Sequence, residues 1–424
     1  MSSLISSSAN WRISKMGKSM ASGDRLHPQT PRNALPGYLF LYGSLYLAYG
    51  TESAYLPEFL RDHGLTLEQV GLTLAAGTVV RIIAGPLIGR LADYLGALQQ
   101  VLTTVACLSG LVGFAYLFAY GFVPLLAVII CHAAATASLA PMCDALSVAA
   151  SAKGRTFQYG WVRGAGSIAF IGGTLLSGLL IDRFGLSTII VASSACFLLM
   201  AACASGIQSP VEMASTTEKI EVGVLGTLWK IAAYRRLIVV AILVIGSHAL
   251  NDTFAVIRWR AAGHDTFAVS LLWSEAVLAE VVVFFLLGPW LIKRLGPPGA
   301  AALAAGAGVL RWTVMASTTA VPALIGVQAL HGLTFALFHL AAMTVISRAV
   351  PDRLVATAQT LYGTGALGLA SAVMTTASGY LYGTFGAHAF LAMAASCALA
   401  LPMARGLAIA RSSDGSRQQL DPEG

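Results

Sequence analysis

Charged side chains are scarce in this chain, and several stand in stretches too apolar to hold them without a reason. Asp144 lies nine residues before Lys153, and Arg163 eight residues after Arg155. If both stretches are helical, the two side chains sit one to two turns from the same surface. A carboxylate and a forked guanidinium placed that way can bind a polar or anionic solute, or can bridge two helices structurally. A second group is Glu280, Arg311 and His331, on three successive apolar stretches. At about 1.5 Å per residue they lie roughly 14–20 Å from the ends of those stretches, near mid-depth. An acid, a fixed cation and an imidazole together are the chemistry of proton transfer. Shielding from water favours the protonated carboxyl, and a nearby guanidinium favours the carboxylate. A purely structural Glu280–Arg311 pair is the other reading.

Glu52, flanked at helical spacing by Tyr49 and Tyr55, and Asp252, with His248 one turn before it, form a third set. Both fall in the outer third of their stretches, as binding or gate groups or as side chains touching water at the mouth. His132 and His339 read as helix–helix hydrogen-bond partners. Arg81 matches no motif and reads as a side chain that snorkels or pairs. Trp161, Trp273 and Trp312 are candidate aromatic walls, whereas Trp259 and Trp290 read as interfacial belt residues.

The elements that position these groups follow from composition. Apolar residues make up 57% of the 424 and charged residues only 11%, and the mean hydropathy is +0.75, which excludes an ordinary soluble domain. Between Pro36 and Leu407 the chain holds twelve apolar stretches of membrane-crossing length. A phrase recurs at the ends of four of them: GRLADYLG, GLLIDRFG, PWLIKRLG and GYLYGTFG. Their closing glycines, Gly96, Gly185, Gly296 and Gly386, are 89, 111 and 90 residues apart. Equal first and third intervals with a longer middle one are what four related units around a central linker leave behind.

The domain expectation is a disordered cytoplasmic tail over 1–35, a six-helix bundle over 36–207, a polar linker over 208–236, a second bundle over 237–407 and a tail over 408–424. Within the linker, residues 222–234 have the pattern of a surface-lying amphipathic helix. With the amino terminus inside, 19 basic residues fall on the cytoplasmic side and four (Arg61, Arg183, Arg258, Arg260) on the other. That bias places both termini in the cytoplasm. It also accounts for the formal charge of +7 without a nucleic-acid partner. The first 35 residues lack the apolar core of a secretory signal, and Met16 and Met20 are alternative starts. The six cysteines all fall in apolar stretches without paired spacing, so neither a disulfide framework, a metal site nor any other cofactor is expected.

At GRLADYLG the chain resembles the loop between helices two and three of the major facilitator superfamily, matching at Gly89, Leu91, Ala92, Asp93 and Gly96. The family's basic positions are Tyr94, Ala97 and Leu98 here. The resemblance implies an all-α membrane fold of twelve transmembrane helices in two pseudo-symmetric six-helix bundles, with Arg90 and Asp93 acting in a cytoplasmic gate. In the second half, Ala279–Val281, Gly308–Trp312, Gln328–His331 and His339–Met343 resemble the phenylpropionate permease branch, a group of proton-coupled carriers near the lactose permease. Ala140–Asp144 and Tyr159–Arg163 are similar to lactose permease helices four and five, where a carboxylate and an arginine bind the sugar. The carboxylate one turn after that permease's helix-ten histidine is Thr334 here, leaving Glu280 or His331 as the proton site. The resemblance spans residues 36 to about 405.

The expected function is secondary active transport in the bacterial inner membrane: proton-coupled uptake, by a monomer, of a small organic acid such as a phenylpropionate-like aromatic acid. Symport of a sugar or nucleoside is the alternative. Efflux by antiport is disfavoured because Gly160–Gly178 contains no proline where that subclass has a glycine-proline motif. No nucleotide-binding loop, HExxH or other enzymatic signature occurs, so an enzyme is not expected. Substrate contacts are expected from Asp144, Arg163, Glu52, His248 and Asp252, and coupling from Glu280, Arg311 and His331. The topology is checked by reporter fusions after Gln208 and after the last residue: both should report the cytoplasm, and an external signal at either would overturn it.

Overall fold

The computed structural model describes residues 34–154, 157–207 and 224–407. The expected tails and most of the expected linker, residues 208–223, lie outside them. Nine helical stretches among the described residues are long and apolar enough to cross a membrane. Two exceed a single crossing: Thr266–Ser317 has 52 residues and Asp352–Leu407 has 56, where about 20 cross a hydrocarbon core. Each reverses at a glycine in the left-handed region, Gly296 at φ 64° and Gly386 at φ 55°. Leu35–Ser53, continued by Leu56–Asp62, supplies one more crossing. The helices are thus consistent with twelve spans.

The repeated phrase has a conformational cause. Gly96 and Gly185 also have positive φ, 60° and 86°, so all four closing glycines stop a helix with a backbone that a side chain would strain. The packing repeats as well. Span one packs on span five (Tyr159–Phe184) and span six (Thr188–Gly206), span two (Leu67–Leu95) on span four (Phe122–Ser151), and span three (Leu98–Phe118) on span six. The same pairings recur six spans later: seven (Ala232–Ala261) with eleven and twelve, eight with ten (Val321–Ala349), nine with twelve.

Near the expected linker a short helix, Val224–Lys230, precedes span seven, which begins at Ala232, five residues ahead of the expected Leu237. The basic pair enters the helix because its guanidiniums find carbonyl acceptors: Arg235 donates to Trp229 O (2.9 Å) and Arg236 to Gly406 O (3.1 Å). Three π-helical segments interrupt the second half, at Val283–Leu287, Gly332–Leu337 and Tyr362–Leu369.

The two halves meet mainly through spans two with eleven and five with eight, and the specific contacts gather at one end. There Tyr55 Oη donates to Thr266 O (2.6 Å) and lies 2.8 Å from Ser270 Oγ. Thr266 Oγ1 faces both Gly178 O (2.8 Å) and Asp182 Oδ1 (2.7 Å). Arg260 pairs with Glu58 at 3.5 Å. The backbones approach so closely that a Cβ on Gly178 would stand 2.8 Å from Thr266 O, and one on Gly71 2.8 Å from Thr375 O. This end is closed by glycine-permitted contact, a few hydrogen bonds and an apolar core that runs through both halves, from Leu56, Phe59 and Val70 to Phe254, Ile257 and Val269.

Gly178→Val should therefore wedge the closed end open. A single thiol placed at Ser53, beneath that end, should react with a membrane-impermeant maleimide added from the closed side several-fold faster in the Gly178→Val background. An unchanged rate would show that another contact makes the seal.

Candidate functional site

The second half places its ionisable groups around one buried cation. Arg311 on span nine is 0% exposed. Its Nη1 contacts His331 Nδ1 (2.8 Å) and donates to Thr334 Oγ1 (3.3 Å), and its Nη2 donates to Gln328 Oε1 (3.0 Å). Gln328 is itself fixed by donating to Leu272 O (3.2 Å). Trp312 lies against the guanidinium, 4.4 Å from Cζ to ring centroid, and its indole N–H donates to Ser247 Oγ (2.8 Å). All direct hydrogen-bond partners of Arg311 are therefore neutral.

The tautomers follow from the donors. A guanidinium only donates, so His331 Nδ1 must accept and its proton is on Nε2. Nε2–H then donates to Glu280 Oε1 at 2.6 Å. While the Arg311 contact stands, His331 is a neutral relay between a fixed cation and a carboxyl. His248 obeys the same logic. Its Nδ1 faces the Val244 and Ile245 carbonyls (3.1 and 3.2 Å), so it carries the hydrogen there and its Nε2 accepts from Thr334 Oγ1 at 2.9 Å. The His248 and His331 rings meet edge to face at 5.2 Å.

This network borders a cavity of about 550 Å³ between the halves. Glu280, His331, His248, Asp252 and Gln328 supply its polar wall, and Phe170, Trp273, Val277, Phe335 and Leu367 much of its apolar wall. A second cavity of about 460 Å³ shares Ser53, Phe170 and Asp252 with the first. It is lined on the first-half side by Glu52, Arg81, Tyr49 and Thr136. A buried bundle interior with few polar groups converging on an aromatic-walled space is the form of a small-solute site.

The sequence of the chain matches the family model described as "MFS_1 like family" over residues 34–392. It belongs to that family of the major facilitator superfamily. A relative in Escherichia coli, named as a probable 3-phenylpropionic acid transporter, is 32% identical over 359 residues, which is 83% of this chain and 92% of that protein. The maltose permease of Geobacillus stearothermophilus is 24% identical, with 82% and 87% covered. Among solved structures, the nucleoside transporter NupG superposes with a TM-score of 0.77 at 14% identity, covering 89% of this chain and 99% of that one. The fold is the two-bundle facilitator fold, and the protein is a multi-pass secondary transporter.

Within this transporter Glu280, Arg311 and His331 come together, although through His331 and not as a direct Glu280–Arg311 pair. His248, expected toward the mouth, is 3% exposed and joins the same network. Asp252 lines both cavities and accepts from Asn251 (3.2 Å). Glu52 is 7% exposed and faces His132, 3.7 Å away. Asp144 and Arg163 do not pair within 4 Å. Asp144 instead accepts from the Tyr42 and Tyr159 hydroxyls, the latter at 2.8 Å. Arg163 stands over the Tyr46 ring at 4.9 Å, because tyrosines crowd the face where the ion pair was expected. Arg90 and Asp93 are exposed at the end of span two, with no ion pair to either among the described residues.

Three contributors escaped the sequence reading: Gln328 and Thr334, which accept from the terminal nitrogens of Arg311, and Arg81, which lines the second cavity. Gln328 and Thr334 carry no charge to mark them, but each lies one turn from His331, and that spacing was the available signal.

The network predicts how stability responds to charge. Glu280→Gln removes one of the carboxylates that offset the charge on Arg311, the one reached through His331, and an uncompensated buried charge costs several kcal/mol where a neutral hydrogen bond contributes about 1 kcal/mol. Glu280→Gln should lower the unfolding midpoint in detergent, and adding Arg311→Met should recover part of the loss. A double variant no more stable than the single one would mean that Asp252 already compensates Arg311.

Proposed function

We propose that this transporter imports a small aromatic carboxylic acid together with a proton across the bacterial inner membrane, with both termini cytoplasmic. The observation that carries the reading is the Arg311–His331–Glu280 chain on the wall of an aromatic-lined cavity. The 32% identity to the relative named for 3-phenylpropionic acid supports the substrate class. The bias of basic residues supports the orientation. In that orientation the closed Tyr55–Thr266 end is periplasmic and the cavity opens inward. The working unit in this reading is a monomer.

Glu280 is the proton carrier in this reading. His331 cannot take a second proton while Arg311 donates to Nδ1, so the arriving proton goes to the carboxyl. Protonation removes one negative charge from the cavity, and the carboxylate of the solute returns it. The empty, deprotonated carrier and the loaded, protonated carrier then hold the same charge, and moving either avoids the cost of carrying an extra ion through a low-dielectric passage. Arg311 stabilises the Glu280 carboxylate when the solute leaves, which expels the proton. His248 and Thr334 hold Arg311 in register for that step. Asp144 and Arg163, among tyrosines on the inner side, lie along the proposed exit route.

The test uses proteoliposomes and labelled 3-phenylpropionate. In the parent protein an inward-directed pH gradient should drive accumulation. Glu280→Gln imitates the permanently protonated carrier, so exchange of labelled for unlabelled solute should continue while gradient-driven accumulation stops. Accumulation that survives in Glu280→Gln would move the proton to another group, and uptake indifferent to the gradient in the parent protein would make this a uniporter.

A further inference from the structure

The first half offers one cation to the central cavities that is bound to nothing. Arg81 lies inside span two, Leu67–Leu95, in the wall of the 460 Å³ cavity. Among the described residues no carboxylate stands within 4 Å of its guanidinium and no hydrogen bond reaches it. The acids on the same cavity are turned elsewhere: Glu52 toward His132 (3.7 Å) and Asp252 toward Asn251 (3.2 Å). Tyr49 is likewise spent, its hydroxyl directed at Thr136 O (3.4 Å). Arg81 is exposed, so its guanidinium is open to a solute, and an ionisable group at mid-span is a functional candidate by default. Its planar fork fits a carboxylate with two parallel hydrogen bonds.

The other cations cannot do this work. Arg311 is fully buried, with both its terminal nitrogens committed to His331, Thr334 and Gln328. Arg163 sits on the Tyr46 ring and is in the lining of neither cavity. The adjoining 550 Å³ cavity, which shares Ser53, Phe170 and Asp252 with it, supplies aromatic walls in Trp273 and Phe335. Two adjoining spaces, one walled by rings and one holding a guanidinium without a protein counter-charge, match a molecule with a ring at one end and a carboxylate at the other. Resting on the aromatic-acid reading above, we infer that Arg81 binds the carboxylate of the solute while its ring occupies the larger cavity beside Glu280. Arg81 then decides whether the carrier takes the acid in preference to a neutral analogue, and the seated ring shields Glu280 from water.

Calorimetric titration of the full-length protein in lipid nanodiscs with 3-phenylpropionate and with its neutral amide, 3-phenylpropanamide, tests this. The parent protein should bind the acid more tightly than the amide. Arg81→Gln should weaken the acid by roughly 10- to 100-fold, the range for losing a charge-assisted pair, and leave the amide where it was. Arg163→Gln should retain the preference for the acid. Unchanged amide binding shows that the Arg81 variant is folded, and if Arg81→Gln does not hold its fold, Arg81→Lys must show the acid weakened relative to the amide. An acid preference undiminished in the Arg81 variants, or lost in Arg163→Gln instead, overturns the assignment of Arg81 alone. A parent protein without preference for the acid overturns the functional reading and this inference with it.

Discussion

A fully buried arginine whose every hydrogen-bond partner is neutral is the constraint around which the second half is organised. Arg311 contacts an imidazole, a hydroxyl and a side-chain amide, and the Glu280 carboxyl is one imidazole away. Neutral partners replace part of the hydration lost on burial, each contributing about 1.5–3 kcal/mol when the donor is charged. They do not cancel the charge, and an isolated buried ion costs more than a few such bonds return. The distance between Arg311 and Glu280 is therefore a working tension. It is short enough for the carboxylate to compensate the cation through His331 and, on the proposed reading, long enough for the carboxyl to exchange a proton without collapsing onto the guanidinium.

The requirement reaches into the surrounding helices. Holding one guanidinium against His331, Thr334 and Gln328 takes three side chains from a single helix, and that helix turns π-helical at Gly332, directly after His331. Span eight does the same at Val283, three residues after Glu280. A π turn inserts a residue into the helical count and rotates the downstream residues by roughly 100°. In each case the ionisable residue, His331 or Glu280, lies just before the shift, so the cavity face and the packing face of the helix are set separately. The closed end of the molecule is built to a different rule. Glycine-permitted backbone contact and a handful of hydrogen bonds join the halves there, beside an apolar core shared by both halves. An interface of that kind can part without unfolding either bundle.

Most of the fold was legible because its signals are coarse. The four closing glycines predicted the repeat, and their positive φ values explain why glycine recurs there. The grouping of Glu280, Arg311 and His331 was legible from depth, since an ionisable group deep in an apolar stretch needs a partner. The direction of the contacts was not legible. Depth counting placed Asp144 and Arg163 at one level, but whether they meet depends on rotation about each helix, and Tyr42, Tyr46 and Tyr159 occupy the intervening space. The π turns hid the register downstream of Glu280 and His331 for the same reason. Arg81 matches no motif in the sequence, and the feature that marks it is its lack of a partner, which emerges only when neighbouring helices are in place.

The two halves share a fold without sharing their chemistry. The second half keeps its cation sealed beneath neutral partners and presents the titratable Glu280 to the cavity. The first half leaves Arg81 open and turns its acid, Glu52, toward a histidine whose ring nitrogens have no hydrogen-bond partner. On the proposed reading this asymmetry is what coupling requires. If the solute's carboxylate met Arg311 directly, it would displace Glu280 and bind best to the carrier that had lost its proton, which opposes symport. Seating the solute's charge on a separate arginine in the opposite half lets proton and anion bind together. Because the two sites belong to different halves, they are both complete only while the halves enclose the cavity between them.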